Sequence, residues 1–372
     1  MSKTAEKITR EVIERAIAIQ QIPSPTFGEG KRSIYLRDLF IQKKLSDVTI
    51  DDLGNVFARL EGSGNRPPAI FSAHLDTVFP ATTDLSVRRT EGMIYGPGIS
   101  DNALGLASLV GLVDLVSPLG KLPGDIWLVA NVCEEGLGNL KGMEAVVARF
   151  GKEVSAYVVV EGTTLGKIYH RALGVERYLI QAQTTGGHSW ANYGLRSAIH
   201  ELANLVMQLT QLSFPDEPRT TLNVGTIQGG ISVNSIASEA HLELDLRSES
   251  ATALSDLVKR VKRLVKGANR GGDDFVRVRA EMIGKRPTGE IPQNHPLVCL
   301  AAQCLEKEGI VPIIGIGSTD ANVPISRGLP AVCVGLTQGG GSHTPQEFMC
   351  TQPLVHGLQL LAGIAEGVFQ EL

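Results

Sequence analysis

Three mostly apolar runs are the feature that most restricts the folds this chain can adopt. Residues 69–73, 126–132 and 156–160 are mostly apolar, and their apolar residues follow one another without alternating with polar ones. A strand of this composition is buried on both faces, as in a sheet that helices cover on both sides. Residues 104–116 have the composition of a crossover helix, and Pro118 follows, where a proline is common. These features predict an α/β fold.

The middle of the chain has a different pattern. Between residues 175 and 286 the periodicity predicts strands and helices in the order βαββαβ, which is the ferredoxin-like arrangement. The α/β character then returns up to the end of the chain. We therefore expect a discontinuous catalytic domain of residues 1–174 and 287–372, into which a smaller α+β domain of residues 175–286 is inserted.

The composition argues against several classes of function. The net charge is −4, so the charge balance favours neither nucleic acid nor an acidic membrane surface as a partner. The N-terminus has no apolar stretch behind a basic start, so we expect no signal peptide. The five cysteines are odd in number, scattered and without a CxxC pair. They suit a reduced, cytoplasmic protein and argue against a zinc site made of thiolates.

Residues that can bind a metal follow two of the predicted strands. His74 and Asp76 come directly after the first apolar run, and Glu134 and Glu135 come after the second. Ligands of open α/β sheets gather at the carboxyl ends of the strands. Two neighbouring carboxylates at a buried strand end are costly unless a positive charge compensates them, and a dication would do so. The alternatives are a solvated turn for the glutamate pair and an ordinary strand-end histidine for His74.

Three further candidates complete the set. Asp101 precedes the predicted crossover helix, where an aspartate is also a good N-cap. Glu161 ends the third apolar run, and His343 lies in a glycine-rich loop, residues 339–347. Each residue alone has an ordinary structural alternative, but together they supply nitrogen and oxygen donors within one α/β unit. Such a donor set suits zinc, manganese or cobalt.

These segments, in this order along the chain, resemble the motifs of metallopeptidase family 20. That family includes aminoacylase, glutamate carboxypeptidase, succinyl-diaminopimelate desuccinylase, acetylornithine deacetylase and peptidase T. The likeness spans essentially the whole chain, and it implies a dizinc exopeptidase fold with an inserted lid or dimerisation domain. It implies two zinc ions per subunit, with manganese or cobalt as possible substitutes, and it assigns the ligands as follows: His74 and Glu161 to the first ion, Glu135 and His343 to the second, and Asp101 to both.

The resemblance also implies roles for residues beside the ligands. Asp76 would orient His74, and Glu134 would be the general base and acid that moves the proton of a water activated by the metal ions. The family often has a cis peptide bond after the bridging aspartate, here Asp101. Asn102 stands where some relatives carry a second aspartate.

Four further residues resemble groups on the substrate side of the family's site. His188 follows two glycines and is similar to the lid histidine that reaches the partner subunit's site and stabilises a developing oxyanion. Asn234 and Arg247 are similar to lid residues that hold a substrate carboxylate, which the fork of an arginine can bind bidentately. Ser318 lies in a loop similar to another substrate-side loop. A turn histidine and a surface arginine are the ordinary alternatives.

The leading interpretation is a cytoplasmic dizinc exopeptidase that acts on short peptides as a homodimer. An N-acyl-amino-acid deacylase, similar to acetylornithine deacetylase or the desuccinylase, is the alternative with the same chemistry. In the resemblance, a glutamate at position 161 favours the carboxypeptidase and deacylase branch, because aspartate is more usual in aminopeptidases. A non-catalytic dimeric binding protein is a remote alternative, since it predicts a missing ligand or base and every one is present.

Overall fold

The computed structural model of the chain describes residues 3–272 and 275–371. Up to residue 172 the helices are α1 (Lys3–Gln20), α2 (Gly30–Gln42), α3 (Leu104–Val116) and α4 (Lys141–Phe150). The strands of this part are β1 (Ser46–Ile50), β2 (Val56–Leu60), β3 (Arg66–His74), β4 (Arg88–Thr90), β5 (Met93–Tyr95), β6 (Gly124–Asn131), β7 (Ala156–Glu161) and β8 (Lys167–Ala172). The middle part contains β9 (Gly174–Thr184), β10 (Gly187–His188), α5 (Ala198–Thr210), β11 (Thr220–Gly229), β12 (Ser235–Ile236), β13 (Glu239–Ser248), α6 (Ala251–Gly267) and β14 (Val276–Arg286). The last part contains β15 (Gly289–Glu290), α7 (Pro296–Lys307), β16 (Ile313–Gly317), α8 (Asn322–Ser326), β17 (Ala331–Gly335), β18 (Gly339–Gly340), β19 (Phe348–Cys350) and α9 (Leu354–Glu371).

The chain divides into two compact units. The large unit consists of Met1–Ala172 and Gly289–Leu372, and the small unit of Leu173–Thr288. The borders lie two residues away from the expected positions 174 and 286. The small unit is thus inserted between two segments that together form the large one.

A nine-stranded sheet forms the centre of the large unit. Its order is β1-β2-β6-β3-β7-β17-β8-β15, and β16 also pairs with β8. β3 runs parallel to β6 on one side and to β7 on the other. The carboxyl ends of these three buried strands therefore lie at the same edge of the sheet, which is where ligands of such sheets bind. The α/β fold predicted from the continuous apolar runs is confirmed.

Helix α3 is the most apolar helix of the large unit and lies in its core, packed against α1 and β3. The stretch Ile99–Leu119, which contains α3, is long enough to cross a membrane and has a mean hydropathy of 1.6. However, 72% of the apolar window is buried inside the protein. A core helix has this property because its neighbours cover all of its faces.

The small unit has a four-stranded antiparallel sheet in the order β11-β13-β9-β14. Helices α5 and α6 contribute buried leucines and valines to a common core with the inward residues of the strands, for example Leu202, Leu257, Ile180 and Leu242. The element order is βαββαβ, with β11 and β14 at the two edges of the sheet. This is the ferredoxin-like pattern.

Candidate active site

His74 ends β3 and lies at the centre of the candidate site. Its side chain is almost fully buried, and its Nδ1 is 3.0 Å from the main-chain oxygen of Asp76. The carboxylate Oδ1 of Asp76 is 3.6 Å from the same nitrogen, which is longer than a hydrogen bond. Asp76, which we expect to orient His74, therefore makes its closest contact with the His74 ring through its main-chain oxygen and not through its carboxylate.

Asp101 contacts both histidines of the candidate site. Its Oδ1 is 3.0 Å from His74 Nε2, and its Oδ2 is 3.3 Å from His343 Nε2. The peptide bond between Asp101 and Asn102 is cis, as the family resemblance implies. Asn102 is buried and donates a hydrogen bond from Nδ2 to the main-chain oxygen of Val160 at 2.8 Å. Each oxygen of Asp101 thus faces a different imidazole.

Each histidine also has a carboxylate neighbour of its own. Glu161 Oε2 is 3.7 Å from His74 Nε2, and Glu135 Oε1 is 3.3 Å from His343 Nε2. The potential ligand atoms of His74, Asp101 and Glu161 lie within 4.8 Å of one another, and so do those of Asp101, Glu135 and His343. Each of these two sets combines one imidazole, one further carboxylate and a share of Asp101, and His74 also lies within this distance of Glu134 and Glu135. This nitrogen and oxygen chemistry fits two neighbouring divalent cations.

Burial and their mutual contacts shift the pKa values of these groups. Asp101 and Glu135, beside His343, raise the pKa of that imidazole to about 10. Burial raises the pKa of Glu135 to about 7 and that of Glu161 to about 7. Burial also opposes ionisation of Asp101, but the contacts with His343 and His74 outweigh it and lower the pKa of Asp101. Charged carboxylates are costly in this environment, and a dication would stabilise them.

The carboxylate of Asp76 connects β3 to the turn after β6. Its Oδ1 accepts a hydrogen bond from the main-chain N–H of Glu134, and its Oδ2 accepts one from the N–H of Glu135, both at 2.9 Å. The hydroxyl of Thr26 also donates to Oδ2, at 2.9 Å. Asp76 therefore holds the two carboxylate residues that the sequence places at a strand end, in addition to its contact with His74.

Residues 24–33, between α1 and the first turn of α2, support the same two segments. Glu29 Oε1 accepts the N–H of Cys133 at 3.1 Å, directly before Glu134. Arg32 donates to the main-chain oxygens of Leu75 and Ile22, both at 2.7 Å. Burial raises the pKa of the Cys133 thiol to about 12, so the thiolate needed by a nucleophile is disfavoured.

Sequence reasoning missed these supporting residues. A usable signal was the face of α2, because Arg32 stands at helical spacing before Leu36 and Phe40, and all three are buried. A charged residue in line with a core-facing row must find partners inside the protein.

Ser318 lies in the loop between β16 and α8, two residues before Asp320. Asp320 is fully buried and accepts a hydrogen bond from Asn131 Nδ2 at 2.7 Å. Burial and the charge of Glu134 raise the pKa of Asp320. This contact ties the loop of Ser318 to the end of β6, from which the chain continues to Glu134.

Two of the lid candidates lie together within the small unit. His188 pairs with Ser235 across the short β10–β12 ladder, and the main-chain oxygen of Asn234 accepts the N–H of Ser189 at 3.0 Å. The Nδ1 of His188 is 3.2 Å from the N–H of Trp190. His188 and Asn234 are both exposed. The structure therefore brings these two candidates to one surface of the small unit.

Arg247 is separate from that pair within the small unit. On β13 it pairs with Val175 of β9, whereas the β10–β12 ladder follows the other end of β9, at Thr184. Glu239 and Arg247 are eight positions apart on β13, which corresponds to about 26 Å. The guanidinium of Arg247 donates from Nε to Asp245 Oδ1 at 2.7 Å. A substrate carboxylate at Arg247 would therefore compete with Asp245.

Comparison with known proteins identifies the family. The model of "Peptidase family M20/M25/M40" matches residues 70–367. The succinyl-diaminopimelate desuccinylase of Corynebacterium glutamicum is 24% identical over 64% of this chain and 67% of its own length.

Two crystal structures share the fold. A tripeptidase from Staphylococcus aureus has a TM-score of 0.82 at 23% identity, covering 97% of this chain and 99% of its own. A dinuclear metal binding peptidase of the M20 family from Bacillus subtilis has a TM-score of 0.71 at 16% identity, covering 99% and 100%. Because the family model matches most of the chain, the protein belongs to peptidase family M20/M25/M40.

Proposed function

We propose that the protein is a dizinc hydrolase of amide bonds that acts as an exopeptidase on short peptides. The observation that carries this proposal is the arrangement around Asp101, whose two oxygens each contact a different histidine, His74 and His343. Each of these histidines has a further carboxylate nearby, Glu161 beside His74 and Glu135 beside His343. Two ligand sets joined by one carboxylate are suited to a pair of ions, whereas a single ion would use only one set.

The ligand sets assign the residues that would hold the two ions. His74, Asp101 and Glu161 would hold the first, and Asp101, Glu135 and His343 would hold the second. Zinc is the proposed metal, and manganese or cobalt could replace it because the donor set accepts all three. When bound, two such ions supply Lewis acidity that polarises a carbonyl and lowers the pKa of water.

Glu134 is proposed as the general base and acid. It is buried beside Glu135, and its N–H is fixed by the carboxylate of Asp76. In this role Glu134 takes a proton from the attacking water and later gives it to the leaving nitrogen. Such a group must be held within hydrogen-bond reach of the proton it moves, which the anchored turn favours.

The small unit is proposed as a lid and dimerisation domain. His188 would help stabilise the oxyanion, and Asn234, Arg247 and Ser318 would contact the substrate, with Arg247 or Asn234 taking a carboxylate. A homodimer is supported by large apolar side chains that stay exposed on the small unit, namely Trp190 (88%), Tyr193 (92%), Ile231 (93%) and Val233 (103%). Exposed apolar clusters of this kind mark interaction sites. The five unpaired cysteines support a cytoplasmic location.

An N-acyl-amino-acid deacylase is the second candidate. The likeness to a succinyl-diaminopimelate desuccinylase favours it, because that enzyme's name describes removal of an acyl group. The metal ligands and Glu134 would serve both reactions in the same way. The difference lies in the group that occupies the acyl side of the amide.

Hydrolysis of a mixed substrate panel tests the proposal. The panel contains dipeptides, tripeptides and N-acetyl or N-succinyl amino acids, and the protein is stripped of metal and reloaded with zinc, manganese or cobalt. We expect metal-dependent release of terminal residues from the peptides. Release of acyl groups alone would transfer the assignment to a deacylase. No hydrolysis with two ions bound would contradict both and favour a binding protein.

A further inference from the structure

Glu347 is a fully buried carboxylate that the proposed reaction does not use. Its Oε2 accepts the main-chain N–H of Gly98 at 2.8 Å. Its Oε1 accepts the N–H of Ser100 at 2.8 Å, the hydroxyl of Ser100 at 2.7 Å and the N–H of Asp101 at 2.9 Å. One side chain thus fixes the segment that presents Asp101, from a position 246 residues farther along the chain.

The main chain of Glu347 makes a second connection between the same regions. Its oxygen accepts the N–H of Gly96 at 2.9 Å, and β19, which begins at the next residue, pairs with β5 directly before Gly96. Its own N–H donates to the oxygen of Thr344 at 3.1 Å, which closes the loop that carries His343. Glu347 therefore joins the loop of one candidate ligand to the segment of another.

A charged carboxylate is needed for these contacts. It has acceptor sites on both oxygens, and here both oxygens face donors. An amide of the same shape would direct an NH2 group at some of those N–H groups, so part of the network would become repulsive. Burial, and then the nearby charge of Asp101, raise the pKa of Glu347, whereas the hydrogen bonds from Ser100 and Gly98 oppose that rise.

We propose that Glu347 is a positioning residue for the second metal site, because it fixes Asp101 and the loop of His343 in a common geometry. The inference rests on the proposed metal centre. The first site depends less on Glu347, since His74 and Glu161 are placed by β3 and β7 of the main sheet. Mutation of a residue that hydrogen-bonds to a metal ligand typically changes the metal affinity by about 10- to 100-fold.

Titration of metal-stripped protein with Co²⁺ alone tests the inference. In Glu347→Gln the Kd of the second Co²⁺, followed by its absorption spectrum and by calorimetry, should rise about 10- to 100-fold, with a much smaller change for the first. Amide hydrogen exchange in the metal-free variant should become faster at Gly98, Ser100 and Asp101. The control is Glu14→Gln, which removes a carboxylate from an exposed pair with Arg89. It should leave both affinities and the exchange rates unchanged.

Ser100→Ala is the second variant. It removes only the hydroxyl contact and keeps the carboxylate, so it tests the inference even if Glu347→Gln does not fold, and it should raise the second Kd severalfold. Unchanged second-site binding in the folded variants would overturn the inference and leave the metal centre intact. Wild-type protein that binds fewer than two Co²⁺ ions would overturn the metal centre, and the inference with it.

Discussion

In the large unit three candidate ligands, His74, Glu135 and Glu161, lie at or just after the ends of buried strands, whereas in the small unit His188 and Asn234 lie at a two-residue strand pair at the surface. His74 is 1% exposed and its ring is braced by Asp76, but Trp190, two residues after His188, is 88% exposed. A group that is braced from several sides loses little entropy when it acts, whereas an exposed group needs ordering by a substrate or a partner. The proposed ligands at the strand ends are therefore pre-organised by the fold, whereas we expect the proposed contribution of His188 to depend on assembly.

The largest effect on turnover is expected from the substitution Glu134→Gln in the large unit. Glutamine keeps the shape of the side chain but cannot accept the proton of water, so kcat should fall by about 10²- to 10⁴-fold. Binding of two metal ions should persist because Glu134 is not a proposed ligand. Steady-state kinetics and metal analysis of the same preparation measure both quantities.

Glu153→Gln is the matched control for that variant. Glu153 is an exposed glutamate before β7 in the same unit, and its replacement should leave turnover unchanged. Near wild-type turnover in Glu134→Gln with both ions bound would remove Glu134 from the mechanism. The pre-organised turn would then serve only to hold Glu135.

A smaller effect is expected from His188→Ala in the small unit. Loss of one group that stabilises an oxyanion lowers kcat by about 10²- to 10³-fold, and metal affinity should not change. His241→Ala, on β13 of the same unit, is the control and should have near wild-type kcat. An equally active His188→Ala would show that the surface of the small unit supplies no catalytic group.

Mixing the two inactive variants sharpens the comparison. If His188 acts in the partner subunit's site, a mixed dimer of Glu134→Gln and His188→Ala has one complete site. Random exchange of subunits should then restore about a quarter of wild-type activity, because half of the dimers are mixed and each has one working site. No recovery after verified subunit exchange would place His188 in the site of its own subunit.

Local patterns explain why much of the fold was predictable. The predicted bounds of α3 match the structure, because this helix is strongly apolar and ends at a clear break before Pro118. Helix α4 was missed, since it starts after Asn139 and Leu140 in left-handed conformation and has no capping side chain. Strand β8 was missed because the polar His170 is buried in it, where it contacts the main-chain oxygen of Ile291 at 2.6 Å.

The candidate site also has a part that could be predicted from the sequence and a part that could not. His74 and Glu161 could be proposed from sequence because buried strands end there, and they do lie together with Asp101. The residues that hold the ligands could not, because their partners are distant in sequence. Glu347 contacts Gly98 across 249 positions, and no local pattern encodes such a contact. The hydrogen bonds that the Asp76 carboxylate accepts from the turn of Glu134 also join residues distant in sequence, so no local pattern encodes them either.

The last expected effect is on metal affinity and not on turnover, namely a dependence of that affinity on pH, which should be confined to the large unit. Ligands must lose their protons before they bind a metal. The pKa of His343 is raised to about 10, so at pH 7 this imidazole is protonated and a metal ion must displace its proton. The pKa values of Glu135 and Glu161, raised to about 7, mean that protons on these carboxylates are displaced as well below pH 7. Affinity should therefore rise from pH 6 to pH 8, by about tenfold per pH unit for each proton displaced.

Calorimetry in buffers of different ionisation enthalpy measures the protons released when metal binds. At pH 7 we expect at least one released proton, and fewer in His343→Ala, because that variant lacks the imidazole that holds it. His188→Ala should release as many as the wild type, since His188 is not a proposed ligand. A pH-independent affinity without proton release would mean that the contacts of His343 with Asp101 and Glu135 do not hold a proton. Equal losses in both variants would mean that the small unit contributes to metal binding, and the contrast between pre-organised and assembled residues would fail.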